Sequence, residues 1–298
     1  MTKRELAKGR MPKWVVLHKK RGETPLEALS AWKVANPEFA EVPASYAGRL
    51  DPMAEGKLLV LLGDECKRQD AYTKLDKEYE IEVLLDVGTD TGDALGMPEY
   101  LSGRQREDSN KFLNAYEIFS HPHAAFAPHL RQVLDREVGM HSRRYPAFSS
   151  KTVNGKPLFL YALEGTLNEI QIPEHIERMY KIKLEDTYQL DGQQLRDRIQ
   201  ELLRNVSRSD EPSKLLGADF RQDAIRERWD ELLATVPDEK FTILKLRVVC
   251  GSGAYMRTLA ERIGTSLGTN ALALTINRTK IGKYVRVGRI GFWVKAFK

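Results

Sequence analysis

Apolar and polar residues alternate along some stretches of the chain and recur at helical spacing along others. Trp14 to His18 reads as a short strand. Thr24-Pro25-Leu26-Glu27 is a capping box with proline at the first helical position. Leu26, Leu29 and Trp32 then supply an apolar helical face. Leu58 to Leu62 is an unbroken apolar run, which periodicity leaves open between a buried strand and a short buried helix. Tyr79, Ile81, Val83 and Leu85 alternate with Glu80, Glu82 and Leu84, predicting a half-exposed strand. In residues 242–249, Leu244, Leu246 and Val248 face one way while Lys245 and Arg247 face the other.

Residues 191–238 carry a different pattern. Leu195, Ile199, Leu202, Leu203 and Val206 have helical spacing, and so do Ile225, Trp229, Leu232 and Leu233. The link from Ser207 to Ser213 reads as a loop. This is a helical pair inserted between strands, expected to serve as padding or as a decoration that touches a nucleic acid. Strands mixed with helices without strict βαβ alternation predict an α+β chain. Its sheet is expected to be mixed and largely antiparallel, flanked by helices. Residues 1–298 read as one domain containing the 191–238 insertion.

Composition narrows the class without choosing the chemistry. Hydrophobic residues make up 42% and charged residues 30%, ordinary values for a soluble globular chain. No apolar run approaches the roughly 18–20 residues that span a bilayer, and no apolar region follows the basic start as it would in a signal peptide. Two cysteines, Cys66 and Cys250, make no disulfide framework, so a cytoplasmic location is expected. The net charge of +5 is a mild lean toward polyanions, but its distribution is sharper. Residues 1–21 hold eight Lys/Arg against one acid, and no acid follows Glu261 while eight Lys/Arg do. Two cationic ends suit an RNA-binding surface.

The most informative local feature is Tyr46-Ala47-Gly48-Arg49-Leu50-Asp51-Pro52-Met53-Ala54-Glu55-Gly56. It sets Asp51 in a Gly-bounded turn just ahead of an apolar run, where a carboxylate can be rigidly held. An aspartate is ionised at neutral pH and can act as nucleophile or base. Arg257 follows the turn Gly251-Ser252-Gly253, which can open a helix carrying Met256, Leu259 and Ile263 inward. His121, His123 and His129 sit in a Pro-containing stretch without cysteine or paired carboxylates, and no metal site is expected. The turn at Gly251 lacks the third glycine and the strand–helix context of a dinucleotide fingerprint.

Read in order, several segments resemble the TruB-type tRNA pseudouridine synthases. They are Leu17-His18-Lys19-Lys20-Arg21-Gly22, the Asp51 segment, Asp76-Lys77-Glu78-Tyr79, Gly88-Thr89-Asp90-Thr91-Gly92-Asp93, Tyr145 to Leu158, Cys250 to Leu259, and Ile276 to Tyr284. The resemblance implies a pseudouridine synthase fold and conversion of uridine to pseudouridine in structured RNA without a cofactor. The implied target is uridine 55 in the T loop of tRNA. Ribosomal or another RNA, or a catalytically silent RNA-binding role, stays open beside it. Asp51 is implied as the central catalytic residue, Arg257 as its partner and Tyr79 as the base-stacking residue. Tyr46, standing where bacterial members have histidine, is implied to stack on RNA beside Gly48 and Arg49. Ile276 is implied to pack on the base, and Lys19 to hold the loop or to contact phosphate. The expected partner is RNA, with no membrane, no metal and a monomeric state. No separate C-terminal RNA-binding domain is expected.

Overall fold

The computed structural model describes residues 11–100, 126–204, 206, 221–288 and 290–298. The basic residues Lys3, Arg4, Lys8, Arg10 and Arg289, the histidines His121 and His123, and the loop expected at 207–213 lie outside the described residues.

Thirteen strands and seven α-helices follow one another along the described chain. They are β1 (Trp14–Lys19), α1 (Pro25–Ala35), β2 (Ala44–Ala47), β3 (Ala54–Leu62), α2 (Gln69–Thr73), β4 (Asp76–Leu85), β5 (Val87–Thr89) and β6 (Pro98–Tyr100). Next come α3 (Phe126–Glu137), β7 (Gly139–Arg144), β8 (Thr152–Val153), β9 (Lys156–Pro157), α4 (Leu158–Glu164), β10 (Glu174–Asp191) and α5 (Gly192–Arg204). The series ends with α6 (Gln222–Ala234), β11 (Lys240–Cys250), α7 (Met256–Ser266), β12 (Ala271–Val287) and β13 (Ile290–Ala296).

Nine strands build one sheet in the order β1-β3-β12-β4-β11-β10-β7, with β13 beside β12 and β2 beside β3. Only the short β12–β3 pairing is parallel; it joins Ile276, Asn277 and Arg278 to Ala54, Glu55 and Gly56. The sheet is therefore mixed and largely antiparallel. The apolar run 58–62 resolves as the far end of β3, paired on one side with β1 and on the other with β2.

The β4 strand is more deeply placed than its alternation suggests. It lies between β12 and β11, and even Lys77 and Glu78 are buried. One face of β4 and β11 carries Tyr79, Ile81, Val83, Leu244, Leu246 and Val248, covered by α3 and α7 through Leu130, Val133, Met256, Leu259 and Ile263. Leu84, Phe241 and Ile243 point the other way, together with Leu272 and Leu274 of β12. On that second face sit α5 and α6, burying Leu195, Ile199, Leu202, Ile225, Trp229 and Leu233. The inserted pair is thus more than padding; it closes a second core, because the sheet end it covers is apolar on both sides.

The capping box forms as expected, with Thr24 Oγ1 accepting from Glu27 N–H and Glu27 accepting from Thr24 N–H. The face of α1 is shifted, however. Ala28 and Leu29 are buried against β1 and β3, while Leu26 is 55% exposed. A second correction concerns the Gly251 turn. It does run from a strand, β11, into a helix, α7. Among the described residues, no helix is long and apolar enough to cross a membrane.

Candidate active site

Asp51 lies in the loop that leads from β2 into β3. Both bounding glycines have left-handed backbone, with φ of +86° at Gly48 and +106° at Gly56. A Cβ on Gly56 would fall 2.5 Å from the Arg278 carbonyl oxygen, so only glycine lets β3 lie this close to β12. Lys19 ties the loop down from below. Its side chain is fully buried, and Nζ donates to the carbonyls of Ala54 at 2.6 Å, Lys20 at 3.0 Å and Pro52 at 3.4 Å. Burial lowers its pKa to about 8. Of the two implied roles, the geometry takes loop support; a phosphate would have to displace three carbonyls to reach this ammonium.

Arg257, in the first turn of α7, faces the loop. Its Nε donates to Asp51 Oδ2 at 2.8 Å, Nη1 to the Thr91 carbonyl at 2.6 Å and Nη2 to the Phe148 carbonyl at 3.0 Å. A second carboxylate, that of Asp93, stands 3.6 Å from Nε. Burial opposes the Arg257 charge, but the two carboxylates outweigh it and raise the pKa. Burial pushes Asp93 up, against the pull of Arg257. The guanidinium side chain is 5% exposed, whereas Asp51 remains 43% exposed. The fork is locked on three sides, and the carboxylate it orients is presented to solvent.

The space in front of Asp51 is a pocket of about 250 Å³. Tyr79, Ile276, Gly48, Arg49 and Leu50 line it with Asp51. Tyr79 is buried in the face of β4, and burial raises its hydroxyl pKa. The β12–β4 register slips between Arg278 and Lys280, beside Tyr79, as bulges do where a strand must re-aim a side chain. Leu50, Ile276 and the Tyr79 ring share this lining with Arg49, Lys77 and Arg278, so the slot can take a flat ring that carries polar groups at its edge.

Of the implied site residues, Asp51, Tyr79, Ile276, Gly48 and Arg49 line this pocket, and Arg257 stands behind Asp51. Tyr46 is elsewhere. It is half-buried on β2 and lines an adjoining groove with Leu26, Leu29 and Gln69, which shares Gly48, Arg49 and Thr73 with the pocket. Several contributors were not singled out from the sequence. Arg278 is 1% exposed and donates to the carbonyls of Lys57, Arg49 and Gly48, bracing the loop from the β12 side. Lys77 is buried with a pKa lowered to about 8, donates to the carbonyls of Thr73 and Leu75, and lines the pocket. Tyr255 also lines it, with burial raising its phenol to about 12. Their only signal was membership of the quoted segments. Among the described residues, no three His, Cys, Asp or Glu side chains are grouped as a metal would need.

The α+β sheet with a guanidinium-held aspartate at the mouth of a strand defines the class, and comparison with known proteins places the chain within it. The family model for TruB family pseudouridylate synthase, N-terminal domain, matches residues 39–200, more than half of the chain. The chain belongs to this family. The tRNA pseudouridine synthase B of Ralstonia nicotianae is 28% identical over 247 residues, covering 83% of this chain and 57% of that protein. The one from Oceanobacillus iheyensis is 26% identical over 255 residues, covering 85% and 61%. The chain spans little more than half the length of these curated relatives. A solved structure described as "Crystal Structure of a Cbf5-Nop10-Gar1 Complex" aligns over 90% of this chain and 48% of the matched chain, at 16% identity and a TM-score of 0.46.

Proposed function

We propose that this chain isomerises uridine to pseudouridine in tRNA, at uridine 55 of the T loop. The observation that carries the proposal is the 2.8 Å pairing of Arg257 with a solvent-facing Asp51 at a pocket walled by Tyr79 and Ile276. Membership of the family supports it, and the names of the relatives support tRNA as substrate.

The reaction breaks the bond between N1 of uracil and C1′ of ribose and forms one from C5 to C1′. The C5 proton leaves and N1 gains one, so no cofactor is needed. The Asp51 carboxylate supplies the nucleophile or base, and the Arg257 fork keeps it aimed. Tyr79 and Ile276 hold the detached ring between them while it turns. A stacked uridine must first leave its RNA stack, at a cost of a few kcal/mol, and stacking on Tyr79 returns about 1–3 kcal/mol. The free thiols of Cys66 and Cys250 suit a cytoplasmic site of action.

The test is tritium release from unmodified tRNA carrying 5-tritiated uridine. Wild type is expected to release tritium, and Asp51→Ala to lose about a thousandfold or more of the rate. Mapping the product then fixes the position. Tight tRNA binding without release would overturn the enzymatic reading; release from ribosomal RNA alone would move the target.

A further inference from the structure

Gly251, Gly253, Ala254 and Tyr255 form one wall of the pocket, and the chain runs from them directly into α7 and Arg257. This wall is held from behind by the first residues of β10. His175 and Glu177, two apart, share one face of that strand. His175 Nε2 lies 3.0 Å from the Gly253 carbonyl oxygen. A carbonyl only accepts, so the imidazole proton that makes this bond sits on Nε2. Glu177 Oε1 accepts the Tyr255 N–H at 3.1 Å, and its Oε2 accepts from Arg262 Nη2 at 2.9 Å. The Gly251 N–H donates to the Arg178 carbonyl at 2.8 Å. Three backbone groups of a five-residue turn are thus tied to one strand.

The imidazole is itself constrained. It stacks on Tyr145 with centroids 4.3 Å apart and planes at 26°, and meets the Tyr255 ring nearly edge-on at 5.9 Å. Its Nδ1 is buried without a hydrogen-bond partner among the described residues. A histidine kept only for bulk does not need its ring plane fixed by one aromatic neighbour and its Nε2 aimed at a carbonyl. An apolar side chain would fill the same space without burying a bare nitrogen.

We infer that His175 is a positioning residue of the active site: with Glu177 it holds the 251–255 turn and thereby sets where Tyr255 and the Arg257 fork meet Asp51. Its kinetic consequence rests on the proposed pseudouridine chemistry. An ångström of misplacement behind a reacting group can cost about a hundredfold in rate, and Arg257 sits two residues beyond the last tied group. Glu177 is 1% exposed and bonded to Arg262, so its removal would test folding more than positioning. His175 is the cleaner handle.

The experiment compares His175→Leu, which keeps apolar bulk without a donor, with His175→Gln, whose amide N–H2 reaches toward Gly253. With tritiated RNA, kcat is expected to fall about tenfold or more in the leucine variant while KM stays within about twofold. The glutamine variant is expected to recover most of the loss. The Arg257 Nε–H resonance in 15N-labelled protein, which reports its bond to Asp51, is expected to move in His175→Leu and to return in His175→Gln. Wild-type kcat and an unmoved resonance in both variants would overturn the inference, as would a fall in kcat that glutamine does not recover with the resonance unmoved. If wild type releases no tritium, the functional reading fails alone, and the resonance still decides the positioning role. Should the leucine variant not fold, His175→Asn, whose amide falls short of Gly253, takes its place against His175→Gln.

Discussion

Two arginine–carboxylate clusters bracket the sheet, and they are built to opposite ends. At the pocket, Arg257 is locked by Asp51 and two carbonyls, yet Asp51 is 43% exposed and gives only Oδ2 to that fork. On the other face, Glu82 is 14% exposed and has no oxygen to spare. Its Oε1 accepts from Tyr188 Oη at 2.9 Å; its Oε2 accepts from Arg198 Nη2 at 2.7 Å and from Thr275 Oγ1 at 2.8 Å. That cluster bolts α5 to β4, β10 and β12. A carboxylate with both oxygens engaged is a strut. One whose partner is fully engaged while it stays half open can act on something else.

The two regions are also joined. Trp229 Nε1–H of α6 donates to the Ala94 carbonyl at 3.1 Å, and Arg221 pairs with Asp90 at 2.7 Å. The loop so braced carries Thr91 and Asp93, two of the groups that hold Arg257. The helical insertion therefore supports the site from behind while closing its own core.

The contrast can be broken most directly by removing each carboxylate. Glu82→Ala is expected to cost about 2–4 kcal/mol in urea unfolding, since three donors lose their acceptor, with kcat unchanged where the variant is folded. Asp51→Ala is expected to cost less, about 1 kcal/mol, since Arg257 Nε loses one acceptor but keeps Asp93 nearby and its two carbonyls. A fall in kcat for Glu82→Ala at unchanged stability would show that the strut is part of the site.

A smaller change sharpens the role of the fork. Arg257→Lys keeps the charge but cannot reach Asp51, Thr91 and Phe148 at once. About a hundredfold loss in kcat is expected, near 2.7 kcal/mol, in the tritium assay. A lysine variant within threefold of wild type would reduce Arg257 to a point charge.

The last effect is on pH. Lys19 and Lys77 have folded pKa values lowered to about 8 by burial, against 10.5 when free. Between pH 8 and 10.5 the unfolded chain keeps protons that the folded chain has released, so stability rises with pH across that window. Lys19→Met is expected to remove its share and flatten the slope in denaturant titrations, leaving the part due to Lys77. An unchanged slope would mean that burial under Asp51 does not lower the Lys19 pKa.

The resemblance of short segments to the family, not their local chemistry alone, pointed to Asp51, Tyr79 and Arg257. Tertiary folding sets Asp51 and Tyr79 in one pocket, with Arg257 behind Asp51. Arg278 looked like one more cation in a basic tail; its burial depends on β3 lying parallel to β12 at Gly56, a pairing between residues over two hundred positions apart. Tyr46 carried a role by position in a motif, but β2 turns its ring into the neighbouring groove. His175 had no local signal at all, since its meaning lies in Gly253, 78 residues away.

The sequence by itself determined the α+β class, the capped first helix, the helical pair and the acid-bearing turn, because each follows from spacing or backbone preference within about a dozen residues. Only the tertiary structure decided which end of the sheet needed a second layer, which cations are buried beneath the loop and which carboxylate is left open. Those outcomes depend on burial and on exhausting hydrogen-bond partners, and both are properties of segments distant in the chain that meet only when the sheet has formed.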